Sequence, residues 1–191
     1  MKRIIVAITG ATGSLYGIRF VERLCSSGEA EVHLIVSPWA SAVMKSETGK
    51  TADEWVSGLS SEYLTVHDHA DIASTVASGS FRVHAMVVIP CTMGTLGAIA
   101  SGLASNLTER AASVCLKERR QLVLVARESP LSSIHLQQML TLSNAGAMIL
   151  PPVPAFYTHP KTIEELVDTT VDRVLDAVGV DDGKAKRWRE T

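Results

Sequence analysis

The sequence is short of everything that marks a secreted, membrane or nucleic-acid protein. Its 191 residues hold three cysteines, Cys25, Cys91 and Cys115, an odd number at wide spacing. They form neither a disulfide framework nor a metal-ligand pattern, so a reducing cytoplasm is the expected compartment. Lysine and arginine total 18 against 20 acidic residues, and the net charge of −2 offers no basic field for nucleic acid or an anionic membrane. No apolar run approaches the roughly 20 residues of a membrane span, and the run at 4–9 is too short for a signal-peptide core. There is no internal repeat and no linker. What remains is 46% apolar and 20% charged, the composition of one globular domain with a sizeable core.

The most organised stretch is R-I-I-V-A-I-T-G-A-T-G-S-L-Y-G-I-R, residues 3–19. Residues 4–9 are β-branched and apolar, long enough for one strand. Gly10, Gly13 and Gly17 follow closely, and Leu15, Ile18, Val21, Leu24 and Cys25 repeat at helical spacing. A strand, a glycine-rich turn and a helix open a nucleotide-binding unit. The helix's first N–H groups are then expected to face a phosphate. A tight turn that binds nothing gives the same pattern.

Strands and helices alternate onward. Residues 31–36 and the wholly apolar 85–90 read as strands, as do 122–126 and 147–150. Pro38 opens a helix with Trp39, Ala40, Val43 and Met44. Residues 48–82 are the least periodic, with short helices expected near Trp55 and at 71–77. Further helices are expected at 110–120, at 132–143 and from Thr162 to Gly179, where Thr162 and Glu165 have capping-box spacing. A polar tail begins near 180 and contains Trp188. This order predicts an α/β fold: a Rossmann-like (flavodoxin-like) parallel sheet with helices on both faces.

In such sheets ligands bind beyond the carboxyl ends of the strands. That rule selects residues 9–13, Ser37, residues 91–95, Arg127 with Glu128, and Pro151 onward. These describe a pocket for a phosphorylated ligand, with one cation and one carboxylate nearby. Glu128 is either a solvated loop carboxylate or a general acid/base. Cys91 is better read as a buried inert thiol than as a nucleophile. His67-Asp68-His69 lacks a third metal ligand and reads as a polar loop. Lys117, Glu118, Arg119 and Arg120 read as a solvated helix face. Tyr157 sits in a prolyl loop, where it lines a pocket or simply packs. Arg173 is a surface charge or an anion contact.

A flavin or mononucleotide enzyme and a nicotinamide reductase compete at this point, beside a plain binding module. The reductase finds a Y-x-x-x-K from Tyr157 to Lys161, but Pro160 lies between the two residues. The second strand ends in Ser37 rather than an acid for a ribose hydroxyl, and the chain is short for that class.

Seven stretches together carry a resemblance: I-V-A-I-T-G-A-T-G, V-S-P-W-A, S-G-S-F-R, I-P-C-T-M-G-T-L, R-A-A-S-V-C-L-K-E-R-R, L-V-A-R-E-S-P-L and P-P-V-P-A-F-Y. Arg173 in T-V-D-R-V-L-D and Trp188 in K-R-W join them. Over nearly its whole length the chain resembles the UbiX-like flavin prenyltransferases. The resemblance implies a single flavoprotein domain over 1–191, with a short C-terminal tail from about 180. It implies a metal-independent enzyme that joins the dimethylallyl group of dimethylallyl phosphate to reduced FMN. The product serves a separate UbiD-type decarboxylase. Gly10, Ala11, Thr12, Ser37, Thr92, Met93, Gly94, Thr95 and Arg127 are implied to hold FMN. Tyr157 and Arg173, with Lys117 and Arg110 helping, are implied to hold the prenyl phosphate, and Glu47 to lie near the flavin. Glu128, Thr12 and Lys117 are the implied catalytic residues. Family members form large homo-oligomers, usually dodecamers with sites at subunit boundaries. Many carry serine at Thr12, and G-A-T-G resembles the branch that accompanies phenolic-acid decarboxylases. The alternative is a flavin-dependent cysteine decarboxylase of the related fold. That type carries P-x-M-N-x-x-M-W and A-N-T segments, and this chain has neither.

Overall fold

A computed structural model describes residues 1–59 and 62–185. Trp188 lies outside the described residues. Six parallel strands form one sheet among the described residues: β1 (Lys2–Ile8), β2 (Ala30–Val36), β3 (Leu64–His67), β4 (Ala85–Cys91), β5 (Gln121–Ala126) and β6 (Met148–Ile149). Their spatial order is β3-β2-β1-β4-β5-β6. The five strands legible in the sequence stand in the flavodoxin order, and the sixth, β3, extends one edge to the Rossmann order. β3 escapes sequence reading because it is four residues long, lies on an edge and leaves Thr65 and Val66 exposed.

Both faces are covered, so the central strands are apolar throughout. Successive side chains of β1 divide between two cores: Ile4, Val6 and Ile8 on one face, Ile5 and Ala7 on the other. Helices α1 (Ser14–Ser27), α2 (Pro38–Thr48), α3 (Ala52–Val56) and α7 (Ile163–Val178) pack on the first face. Helices α4 (Met93–Ala100), α5 (Leu107–Lys117) and α6 (Ser133–Asn144) pack on the second.

Three boundaries differ from expectation. The helix expected at 110–120 is α5, three residues earlier at each end. Asn106 caps it by accepting the Glu109 N–H, and Arg119 leaves it at φ +55°. The helix expected at 71–77 is only a 3-10 turn at Thr75–Ala77. The tail also starts pinned rather than free. Val180 is buried, and Arg23, 3% exposed, donates to both oxygens of Asp182 at 2.7 Å and to Asp172 at 2.6 Å.

Candidate active site

β1 and β4 are neighbours whose connections leave in opposite directions, so a crevice opens above their carboxyl ends. Thr9 ties the two sides together. Its hydroxyl donates to the Pro90 carbonyl at 2.8 Å and accepts the Thr92 N–H at 2.9 Å. The crevice continues as a cleft of about 400 Å³ between Thr12, Gly13, Arg127, Glu128 and the prolyl segment 151–153.

The glycine-rich turn does not do what its sequence promised. The start of α1 is already filled by a carboxylate of the same chain. Glu47, reaching over from α2, accepts the N–H groups of Gly13 and Ser14 at 2.8 Å each. It also accepts the Ser14 hydroxyl at 2.6 Å, and the Thr12 hydroxyl donates to it. Burial pushes the Glu47 carboxyl up. The hydrogen bonds from Ser14, Thr12 and Gly13 outweigh that and hold it below the usual carboxylate range. An internal anion thus occupies the place expected for a phosphate. Two of the glycines serve packing instead. A Cβ on Gly17 would meet the Ile89 carbonyl oxygen at 2.4 Å, and one on Gly10 would meet Trp39 Cβ at 2.6 Å.

The start of α4 is different. Thr92 caps it by accepting the Thr95 N–H at 3.1 Å, and its hydroxyl donates to that of Thr95 at 3.0 Å. Gly94 is exposed, and a Cβ there would find only the Thr92 hydroxyl within 4 Å. Arg127 lies next to this turn, its N–H bonded to the Cys91 carbonyl at 3.0 Å. An open helix start, two hydroxyls and an exposed guanidinium fit one phosphate. Ser37, buried at the end of β2, is spent on capping α2 through the Ala40 N–H. Cys91 is fully buried, which pushes its thiol up to about 12 and removes it as a nucleophile.

Glu128 is exposed on the cleft rim, with one oxygen accepting the Ser129 N–H at 2.9 Å. Thr12, Glu47, Arg127 and Glu128 therefore stand together at the carboxyl edge of the sheet. The remaining candidates do not join them. Lys117 ends α5, four residues before β5 begins, which puts it at the opposite edge. There it pairs with Glu118. Arg110 is exposed in the first turn of α5, and Arg173 is exposed on α7 beside Asp176 at 3.5 Å. Tyr157 is half-exposed in the prolyl segment, outside the residues that line the cleft. Ser14 is the part that sequence reasoning missed; Thr9 was among the residues 9–13 selected at the strand end, though its role in tying β1 to β4 was not read. The hydroxyl at the helix's first position in G-A-T-G-S was the available signal for Ser14.

A model of the family described as Flavoprotein matches residues 1–175, which sets the class. A probable UbiX-like flavin prenyltransferase of Bacillus subtilis is 47% identical over 97% of this chain and 89% of its own. The crystal structure of AnUbiX (PadA1) with FMN and dimethylallyl pyrophosphate superposes with a TM-score of 0.92 at 48% identity, covering 100% of this chain and 98% of that one. A dodecameric FMN-dependent UbiX-like decarboxylase from Escherichia coli O157:H7 superposes with a TM-score of 0.92 at 45% identity, over 98% and 99%. Within the flavoprotein class, the chain belongs to the UbiX-like flavin prenyltransferase family.

Proposed function

We propose that this protein transfers a dimethylallyl group from a dimethylallyl phosphate to reduced FMN, and that a UbiD-type decarboxylase takes up the product. The observation that carries the reading is family membership over nearly the whole chain, joined to a crevice whose one open helix start suits a single phosphate. Thr92, Met93, Gly94, Thr95 and Arg127 hold the FMN phosphate end. Gly10, Ala11, Thr12 and Ser37 frame the ring end. Bound reduced FMN supplies the electron-rich nitrogen and carbon that take the prenyl group.

The chain's own residues do the rest. The Thr12 hydroxyl donates its hydrogen bond to the ionised Glu47, which leaves the hydroxyl oxygen's lone pairs for the crevice. Glu128 is placed to take or return a proton at the reacting face. The departing phosphate gains negative charge as its carbon–oxygen bond breaks, and cations must meet it. Tyr157, Lys117, Arg110 and Arg173 fill that role, but one chain does not gather them. We assign the missing cations to neighbouring copies in a homo-oligomer, in line with the dodecameric relative. No described helix is long and apolar enough to cross a membrane. The buried, unbridged thiols of Cys91 and Cys115 suit the cytoplasm.

The test is one anaerobic incubation of the purified protein with FMN, dithionite and dimethylallyl phosphate, followed by mass spectrometry of the extracted flavin. A flavin heavier by one prenyl unit is expected. Unmodified FMN from folded, FMN-loaded protein, with the pyrophosphate donor also inert, contradicts the reading.

A further inference from the structure

The crossover from β3 to β4, residues 68–84, carries no α-helix, only the 3-10 turn at Thr75–Ala77. Three of its side chains, Val76, Ala77 and Val83, bury against the second sheet face, with Phe81 packed beside them. Much of the remaining hold is polar, and it forms one continuous chain. Arg3 Nε donates to Glu31 Oε2 at 3.0 Å. The other Glu31 oxygen lies 3.0 Å from His33 Nε2. His33 Nδ1 lies 2.9 Å from His67 Nε2, and His67 Nδ1 lies 2.8 Å from the Ser74 hydroxyl.

The ionised Glu31 can only accept, and this fixes every proton along the chain. His33 donates from Nε2, so its neutral Nδ1 accepts. His67 then donates from Nε2, its own Nδ1 accepts, and Ser74 donates to it. One extra proton fits on His67 Nδ1 if the Ser74 hydroxyl turns to accept it. A second, on His33 Nδ1, sets two N–H groups against each other across 2.9 Å.

Burial is the largest influence on both imidazoles, and it lowers both. Glu31 on the same strand raises His33, while Arg3 from β1 lowers it. For His67, His33 adds to the lowering and Asp71 opposes it. Asp53, Asp68 and His69 line the cleft beyond His67. Both rings therefore charge below the ordinary histidine range.

What this chain grips lies beside Lys117. The Phe81 ring stands edge-on to His33 with centroids 5.0 Å apart, and Arg3 lies 4.4 Å over it. Arg120 donates to the Phe81 carbonyl at 2.8 Å and to the Gly79 carbonyl at 2.5 Å, and Arg3 donates to that of Arg82 at 3.1 Å. A Cβ on Gly79 would fall 2.8 Å from Lys117 Nζ, so this backbone is the floor under the ammonium group.

We propose that His33 and His67 are positioning residues: their shared hydrogen bond holds segment 74–82 in place under Lys117, and double protonation releases it. The link to turnover rests on the role given to Lys117 above. The link to the segment does not.

Hydrogen exchange of the full-length, FMN-loaded protein reads the segment directly. After correction for intrinsic rates, wild-type amides in 75–82 should lose about tenfold protection between about pH 6 and pH 4, below the ordinary histidine range. The KM for dimethylallyl phosphate should rise over the same interval, with a smaller change in kcat. His67→Gln keeps a donor toward His33 and cannot charge, so both changes should flatten. Ser74→Ala removes the acceptor for the extra proton and should move both changes to lower pH. Wild-type protection that ignores pH, or a folded His67→Gln that tracks the wild type, overturns the proposal. Should protection follow pH while folded protein leaves FMN unmodified, the role of Lys117 falls and the clasp stands.

Discussion

The two edges of the sheet carry opposite chemistry. At the carboxyl edge stand two carboxylates, Glu47 and Glu128, with the Thr12 hydroxyl between β1 and α1, and one guanidinium, Arg127. At the amino edge stand Lys117, Arg120 and Arg3, gathered around the backbone of 79–82. A reaction that expels a phosphate needs a group to manage protons and a cation to meet the departing charge, the roles proposed for Glu128 and Lys117. One chain presents them on surfaces that face apart. The difference teaches that one chain does not bring Lys117 to the crevice that holds Glu128, which is why the proposed function turns to neighbouring copies for the missing cations.

Variants at each edge can break or sharpen this contrast. The largest effect is expected at the amino edge. Lys117→Ala should lower turnover by about 100-fold or more, the range for a lost transition-state electrostatic contact, with FMN affinity unchanged. Stopped-flow prenylation beside an FMN titration checks both halves. Next comes the packing that builds the carboxyl edge. Gly17→Ala drives a methyl into the Ile89 carbonyl oxygen and should cost about 3 kcal/mol in urea denaturation.

Gly94→Ala sharpens the contrast between the two helix starts. The site has room for the methyl, so stability should stay within about 0.5 kcal/mol. The methyl would stand between α4 and a phosphate, and FMN affinity should fall about tenfold by fluorescence titration. An unchanged affinity would move the phosphate elsewhere. The smallest effect belongs to Glu47→Gln. The folded carboxyl titrates below its unfolded value, so its contribution is complete above about pH 4.3 and fades as pH falls through the folded value. The variant should lose about 1 kcal/mol near pH 7, toward the low end for charge-assisted bonds at an exposed residue, and converge with the wild type near pH 3. Denaturation curves at several pH values read this directly.

The sequence made much of this frame legible. β1, β2, β4 and β5 were apolar runs, and α6 and α7 carried their caps in Ser132 and Thr162. The edge strand β3 was hidden because an edge strand need not be apolar. The expected phosphate seat on α1 failed for a related reason. Local sequence shows that G-A-T-G-S can present N–H groups, but their partner, Glu47, is more than thirty residues away and arrives through the packing of α2. Lys117 was legible as a charged residue at a helix end. Its distance from Glu128 was not, because it follows from the direction in which α5 runs back along the sheet.

The most direct measurement is subunit complementation. Lys117→Ala and Glu128→Gln, each inactive alone, are co-expressed, purified as mixed oligomers and assayed for prenylated flavin by mass spectrometry. If the two edges of a chain serve different sites, some sites in the mixture hold both intact residues and product reappears. If each chain completes its own site, every site carries one lesion and the mixture stays as inactive as its parents, which would contradict the account.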